Sequence, residues 1–253
     1  LKSNEDFYEI YKYLHQNPEL SLQEFETTKY LEDLLEEYGY EIITNIGGNG
    51  FAALLKNGGN KTVLFRADMD ALPIKEETGI SFESVKTTKQ KGMDVPIMHA
   101  CGHDIHMTSL IGTAKYFSKN KDSWKGTIVF ILQPAEEIGF GARQMINAGL
   151  FKQIPYPDIN LALHVSAQTQ SGTVHITPGF AMANVDSVDV TFYGEGGHGA
   201  YPHLTKDPIV MSSQFITTVQ TIISRNLSPI NAGVVTVGSI HGGTKHNIIP
   251  NHV

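Results

Sequence analysis

Residues 127–132 read TIVFIL and run directly into QPAEE at 133–137. Six residues without a polar/apolar alternation predict a central strand, since a strand covered on both faces needs apolar side chains in both directions. Ile159–Leu163 has a similar character, and a helix is expected between the two around Gly141–Asn147, with Gly149 just past its end. Strands alternating with helices in this way predict an α/β layer fold over most of the first 180 residues.

Working back from that strand, Tyr40–Thr44, Phe51–Leu55 and Thr62–Phe65 read as three further strands. The last two flank Asn57-Gly58-Gly59-Asn60, a composition that suits a hairpin turn. Two helices are expected before them. Ser3 with Asp6 forms one capping-box pattern, followed by Phe7, Ile10, Tyr11 and Leu14 at helical spacing. Ser21 with Glu24 forms a second, opening a helix that carries Phe25, Leu31, Leu34 and Leu35 and closes at Gly39. Residues 75–98 are polar and read as irregular. Helix resumes after Asp104, with Leu110, Ile111, Ala114 and Phe117 on one side.

Working forward, the pattern changes near Phe180. Val188, Val190 and Phe192 alternate with polar residues, as in a sheet with one wet face. Asp207-Pro208 opens a long helix with Ile209, Ile216, Val219 and Ile223, and strand-like runs follow at Gly233–Ile240 and His246–Ile249. A domain boundary is expected within residues 178–184, dividing 1–180 from a small α+β module at 181–253.

The 253 residues are 41% hydrophobic and 18% charged, enough apolar side chain for a core. Nineteen basic against 26 acidic residues give a net charge of −7, which opposes general binding to nucleic acid or an anionic membrane. No apolar run is long enough to span a bilayer, and no secretion signal is visible. The only cysteine, Cys101, excludes an intrachain disulfide and favours a reducing, cytoplasmic setting.

Four candidate metal ligands crowd into HACGHDIH at 99–106, namely His99, Cys101, His103 and His106. Thiolate and imidazole together suit zinc or another borderline divalent ion. The plainer reading is a buried cysteine among surface histidines, with His106 structural on the following helix. QPAEE follows an apolar strand, and strand carboxyl ends are where sites form in α/β sheets. Pro134 breaks the strand, so Glu136 and Glu137 can approach one centre, one as ligand and one as base. A solvated Glu-Glu pair is the alternative. Asp68 and Asp70 follow the strand Thr62–Phe65, and His164 follows Ile159–Leu163, repeating the same placement. In GEGGHGAYPH, 194–203, glycines around His198 allow close approach, or form a simple turn with an exposed histidine.

RADMDALP (66–73), MHACGHDIHM (98–107), QPAEE (133–137), LALHV (161–165), GGHGAYPH (196–203), DPI (207–209) and GGTKHNIIPN (242–251) occur in order. Together they resemble the metal-dependent amidohydrolase branch of the aminoacylase and zinc-carboxypeptidase superfamily, which includes hippurate hydrolases, auxin-conjugate hydrolases and N-acetyl-diaminopimelate deacetylases. The resemblance implies a zinc-exopeptidase-like α/β catalytic domain with a central mixed sheet and helices on both faces. It also implies an inserted α+β, ferredoxin-like lid and dimerisation domain. It further implies two divalent ions, zinc or manganese with cobalt or nickel compatible, held by Cys101, His103, Glu137 and His164. Glu136 becomes the general base, Asp70 the acid that orients a ligand or holds a tight turn, and His198 the lid residue that stabilises the oxyanion. Asn247 matches a lid asparagine near the substrate carboxylate, and the roles of Asp68, His99 and His106 stay open.

The implied substrate is a small N-acyl-amino acid and the implied assembly a homodimer through the lid. In such proteins the catalytic domain resumes after the lid with a last ligand histidine, so a chain ending at Val253 is expected to be part of a longer protein. A lid arginine usual after the Gly-Thr pair is missing, and Lys245-His246 replaces small or apolar residues, which touches substrate fit. Three other readings remain: a carboxypeptidase or dipeptidase with the same site, a silent binding or dimerisation protein, and a Cys101 nucleophile partnered by a histidine.

Overall fold

The computed structural model describes residues 2–90, 92–180 and 183–253, with side chains from Phe7 onward. The side chains of the expected capping box, Ser3 and Asp6, lie outside what is described, as do Ala181 and Met182 within the expected boundary. The chain divides into two compact units, Leu1–Ser171 and Gly172–Val253.

The first unit runs α1 (Lys2–Gln16), α2 (Phe25–Glu37), β1 (Glu41–Ile43), β2 (Phe51–Lys56), β3 (Thr62–Asp68), β4 (Thr87–Gln90) and β5 (Met93–Pro96). It continues with α3 (His103–Lys119), β6 (Thr127–Gln133), α4 (Gly141–Asn147), α5 (Leu150–Gln153) and β7 (Ile159–Ala162). Five strands form a mixed sheet in the order β1-β2-β6-β3-β7, with β2 antiparallel to its neighbours and β6, β3 and β7 mutually parallel.

The TIVFIL stretch lies in the middle of this sheet, and its two faces explain its composition. Ile128, Phe130 and Leu132 join Ile10, Leu14, Leu31, Leu35, Leu110 and Ile111 in a core beneath α1, α2 and α3. Val129 and Ile131 point the other way, into a smaller core with Met145, Leu150 and Ile154 from α4, α5 and the residue after it. Each such side chain contributes about 1.5–3 kcal/mol on full burial, so both layers are anchored through one strand.

Three local expectations are corrected. The Asn57–Asn60 turn does not close a hairpin, because β6 is inserted between β2 and β3. Asn57 instead ties the turn to the approach of β6: its amide side chain donates to the carbonyls of Lys121 (2.6 Å) and Trp124 (2.7 Å), and its N–H to that of Gly126 (2.8 Å). Turn composition specifies a reversal of the chain, not which strand fills the gap. Second, Ser21 and Glu24 do not cap α2. The Glu19 carboxylate does so, accepting the N–H groups of Glu26 (3.3 Å) and Thr27 (2.8 Å), and Phe25 is exposed. Third, the irregular stretch contains the β4–β5 hairpin, paired from Thr87↔Pro96 to Gln90↔Met93.

The second unit contains β8 (Gly197–His198), α6 (Pro208–Thr221) followed by a π-helical turn at Ile222–Asn226, and β9 (Ile248–Ile249). Asp207 caps α6 as its sequence suggests, accepting the N–H groups of Ile209 (2.9 Å) and Val210 (3.4 Å), with Pro208 in the first turn. Of the expected ferredoxin-like sheet, the described residues show the two-residue ladder β8–β9 and the isolated bridges Tyr193↔His252 and Glu195↔Lys206. The runs at 188–192 and 233–240 are not strands among the described residues. Phe192 exchanges two backbone bonds with Val253, and from there contact runs through the Tyr193↔His252 bridge and the Gly194 N–H on the Asn251 carbonyl (2.7 Å) towards β8 and β9, not into residues 188–191. Alternation decides which side chains share a face, but a strand exists only where a neighbouring backbone completes its ladder. No helix is long and apolar enough to cross a membrane among the described residues.

Candidate metal centre

The parallel strands β6, β3 and β7 end side by side, with Asp68 opposite Gln133 and Arg66 opposite Ala162. Their carboxyl ends therefore deliver Asp68 and Asp70, the Pro134–Glu137 turn and His164 to one edge, where sites collect in α/β sheets. Helix α3 brings a fourth group, because it begins at His103 immediately after Cys101 and Gly102. Gly102 is left-handed (φ +81°), and a Cβ there would lie 2.4 Å from a Val165 methyl. Only glycine lets this helix start so close to the end of β7.

His103 sits at the centre and is 1% exposed. Its Nε2 lies 3.7 Å from Glu137 Oε1 and 3.9 Å from Glu136 Oε2, and its Nδ1 lies 3.6 Å from Asp70 Oδ1. Cys101 Sγ stands 3.4 Å from His164 Nε2. His164 donates from Nδ1 to the Val165 carbonyl (2.7 Å), which leaves Nε2 with a lone pair to offer. Cys101, His103 and His164 form one group with ligand atoms within 4.8 Å of one another, and His103, Glu136 and Glu137 form another.

Both ring nitrogens of His103 and Oε1 of Glu137 are buried without a hydrogen-bond partner. Native proteins rarely leave such atoms unpaired without a functional reason. Ligand atoms around one tetrahedral ion stand roughly 3.3–3.8 Å apart, which matches the His103–Glu137 and Cys101–His164 separations. The charge balance points the same way. Burial, reinforced by Glu137 and Glu136, pushes the Cys101 thiol up to about 11. Burial also raises the carboxyl of Glu137, with Glu136 adding to it. His103 is raised too, because Asp70 and Asp68 outweigh the burial of its ring. Negative charge is in surplus, and a sulfur, nitrogen and oxygen donor set suits a borderline divalent cation. The residues present fit one.

Asp68, His103 and His106 also approach within 4.8 Å, but two of the three are already satisfied. Asp68 accepts from His106 Nδ1 (2.7 Å) and from Arg66 (2.7 Å), and Arg66 donates in turn to Gln133 (2.9 Å). Although burial alone would raise it, the His106 bond and the Arg66 charge hold Asp68 down at about 2. His106 Nε2 accepts the Val165 N–H at 3.0 Å, so this chain of bonds sets the backbone beside His164. Asp70 accepts the N–H groups of Glu136 (3.0 Å) and Glu137 (2.9 Å) and the hydroxyl of Ser21 (2.6 Å). His99 is buried with neither ring nitrogen partnered, and burial pushes it down to about 4.

Sequence reasoning missed Ser21, Glu24 and Arg66 here. The first two fitted a capping box, and Arg66 carried no signal beyond its place two residues before Asp68. Within the second unit, His198 is exposed, accepts the Ala200 N–H at Nδ1 (3.1 Å) and lies beside the Tyr201 ring. The carbonyl of Asn247 accepts the Gly199 N–H (2.9 Å), so these two candidates are neighbours across β8 and β9.

The N-acetyl-L-cysteine deacetylase of Bacillus subtilis (strain 168) is 43% identical over 245 residues, 96% of this chain and 56% of that relative. An N-acetyldiaminopimelate deacetylase of Leuconostoc mesenteroides is 38% identical over 256 residues, 99% of this chain and 64% of its own. The crystal structure of a dinuclear metal-binding peptidase of the M20 family from Bacillus subtilis matches with a TM-score of 0.67 and 33% identity. That match covers 98% of this chain and 61% of the other. The chain thus spans between 56% and 64% of the length of these relatives. The sequence profile of peptidase family M20/M25/M40 matches residues 64–250, and the chain belongs to that family.

Proposed function

We propose that the whole protein is a metal-dependent hydrolase that cleaves the amide bond of small N-acyl-amino acids. The observation that carries the reading is the buried, partnerless pair of His103 Nε2 and Glu137 Oε1, 3.7 Å apart beside the Cys101–His164 pair. The deacetylase relatives support the amide substrate class.

Cys101, His103, Glu137 and His164 would hold two divalent cations, a number that the dinuclear metal-binding relative supports, with zinc or manganese favoured and cobalt or nickel compatible. When bound, the cations supply a Lewis acid that lowers the pKa of water and polarises a carbonyl. Glu136 is fixed through its N–H on Asp70 while its side chain is 40% exposed. It is therefore free to take a proton from the attacking water and return it to the leaving amine. Asp70 orients both glutamates and faces the ring of His103. His198 would stabilise the oxyanion and Asn247 would bind the substrate carboxylate, with residues 181–253 acting as lid and homodimer surface. A thiolate ligand suits a reducing compartment such as the cytoplasm.

The test is a substrate panel on the whole protein, comparing N-acyl-amino acids with free dipeptides before and after chelation. Expected are turnover of the acylated amino acids, loss with chelator and recovery on adding zinc or manganese. Faster turnover of dipeptides would move the assignment to a peptidase, and chelator-resistant turnover would favour a cysteine nucleophile.

A further inference from the structure

The turn that carries the two glutamates is held in an unfavourable backbone state. Ala135 has φ +49°, in the left-handed region that costs a residue with a Cβ on the order of 1–2 kcal/mol. It is fully buried, and so is Glu24, which lies 111 residues away in sequence. The Glu24 carboxylate accepts the Ala135 N–H at 2.8 Å with one oxygen and the Asn49 amide at 2.9 Å with the other. Burial raises this carboxyl, opposed by the bonds from Asn49 and Ala135. The next two N–H groups, of Glu136 and Glu137, point to Asp70. Three consecutive backbone donors are thus bound by two buried carboxylates, Glu24 and Asp70. A buried carboxylate is costly to keep, and Glu24 caps nothing in its own helix.

We propose that Glu24 is a positioning residue for the hydrolysis: its carboxylate holds Ala135 left-handed and so aims the adjoining Glu136 into the centre. Asn49 is its anchor. The proposal rests on the amidohydrolase reading above.

The experiment compares wild type, Glu24→Ala, Glu24→Gln and Asn49→Ala as metal-loaded whole protein, with metal content, folded fraction, kcat and KM measured for each. In Glu24→Ala, kcat is expected to fall roughly ten- to a hundredfold, as misplacement of a reacting group by about 1 Å does. KM and metal content per folded chain are expected to stay within about twofold. Glu24→Gln keeps an acceptor for the Ala135 N–H once Asn49 turns its amide, and should retain most of the turnover. Asn49 is only part-buried, so Asn49→Ala should fold even if Glu24→Ala does not, with a several-fold loss in kcat alone. Wild-type kcat per metal-loaded chain in both alanine variants would overturn the proposal. So would a loss explained wholly by missing metal or unfolded protein. Wild type without amide hydrolysis would overturn the amidohydrolase reading, and this proposal with it.

Discussion

Two groups of acids and imidazoles share the strand ends, and they differ in one respect. Asp68 and His106 have every side-chain polar atom bonded within the protein, through Arg66, each other and the Val165 N–H. His103 and Glu137, a few ångströms away, keep three buried atoms without a partner. The closed group resembles ordinary buried polar structure, which is stable only when complete. The open group is tolerable only if something outside the chain completes it. Burial and titratable side chains alone did not separate the two; the tally of partners did.

The sharpest way to test this contrast is at the centre itself. Glu136→Gln should keep its metal and lose roughly a hundred- to ten-thousandfold in kcat, measured by amide hydrolysis alongside elemental analysis. Full activity would remove Glu136 from the role of base. A test of the closed group comes next. His106→Ala leaves one oxygen of the buried Asp68 carboxylate and the Val165 N–H without partners, and should lower stability in urea by about 2–3 kcal/mol even without metal. An unchanged unfolding midpoint would show that this network is not what holds the edge together.

A second closed group allows a pH test. His15 is bonded to Asp104 (2.7 Å) and Glu76 (3.0 Å), and the Asp104 bond, helped by Glu76, raises its pKa against the effect of burial. A histidine raised on folding contributes fully below its unfolded value of 6.5, and the contribution fades as pH rises through the folded value. The metal-free protein should therefore lose stability above neutrality, by at most about 1.4 kcal/mol per pH unit from this group. His15→Phe should flatten that slope. The smallest effect is expected at Glu137, whose raised carboxyl disfavours its own ionisation in the fold. Glu137→Gln should stabilise the metal-free protein by about 0.5–1 kcal/mol at neutral pH while abolishing stabilisation by added metal. A destabilised metal-free Glu137→Gln protein would mean the open group is not open.

The central strand, the helices around it and the residues at the strand ends were legible because burial on two faces and a thiol among histidines leave marks in composition. What stayed hidden was set by distant partners. Asn57-Gly58-Gly59-Asn60 looks the same whether the next strand or a later one fills the gap. Ser21 and Glu24 match a cap by spacing, yet their oxygens go to Asp70 and Ala135, 49 and 111 residues on. The pattern at 188–192 resembles a strand until a ladder is sought.

Strands β3 and β6 run parallel in the middle of the sheet, and Asp68 stands opposite Gln133 at their ends. The chain beyond β3 carries Asp70 and the chain beyond β6 carries Glu136 and Glu137, whose N–H groups Asp70 accepts. A slip of one residue in that ladder would displace the turn by about 3.3 Å and break both bonds together. The register of two buried strands thus acts as the ruler that sets where the glutamates stand.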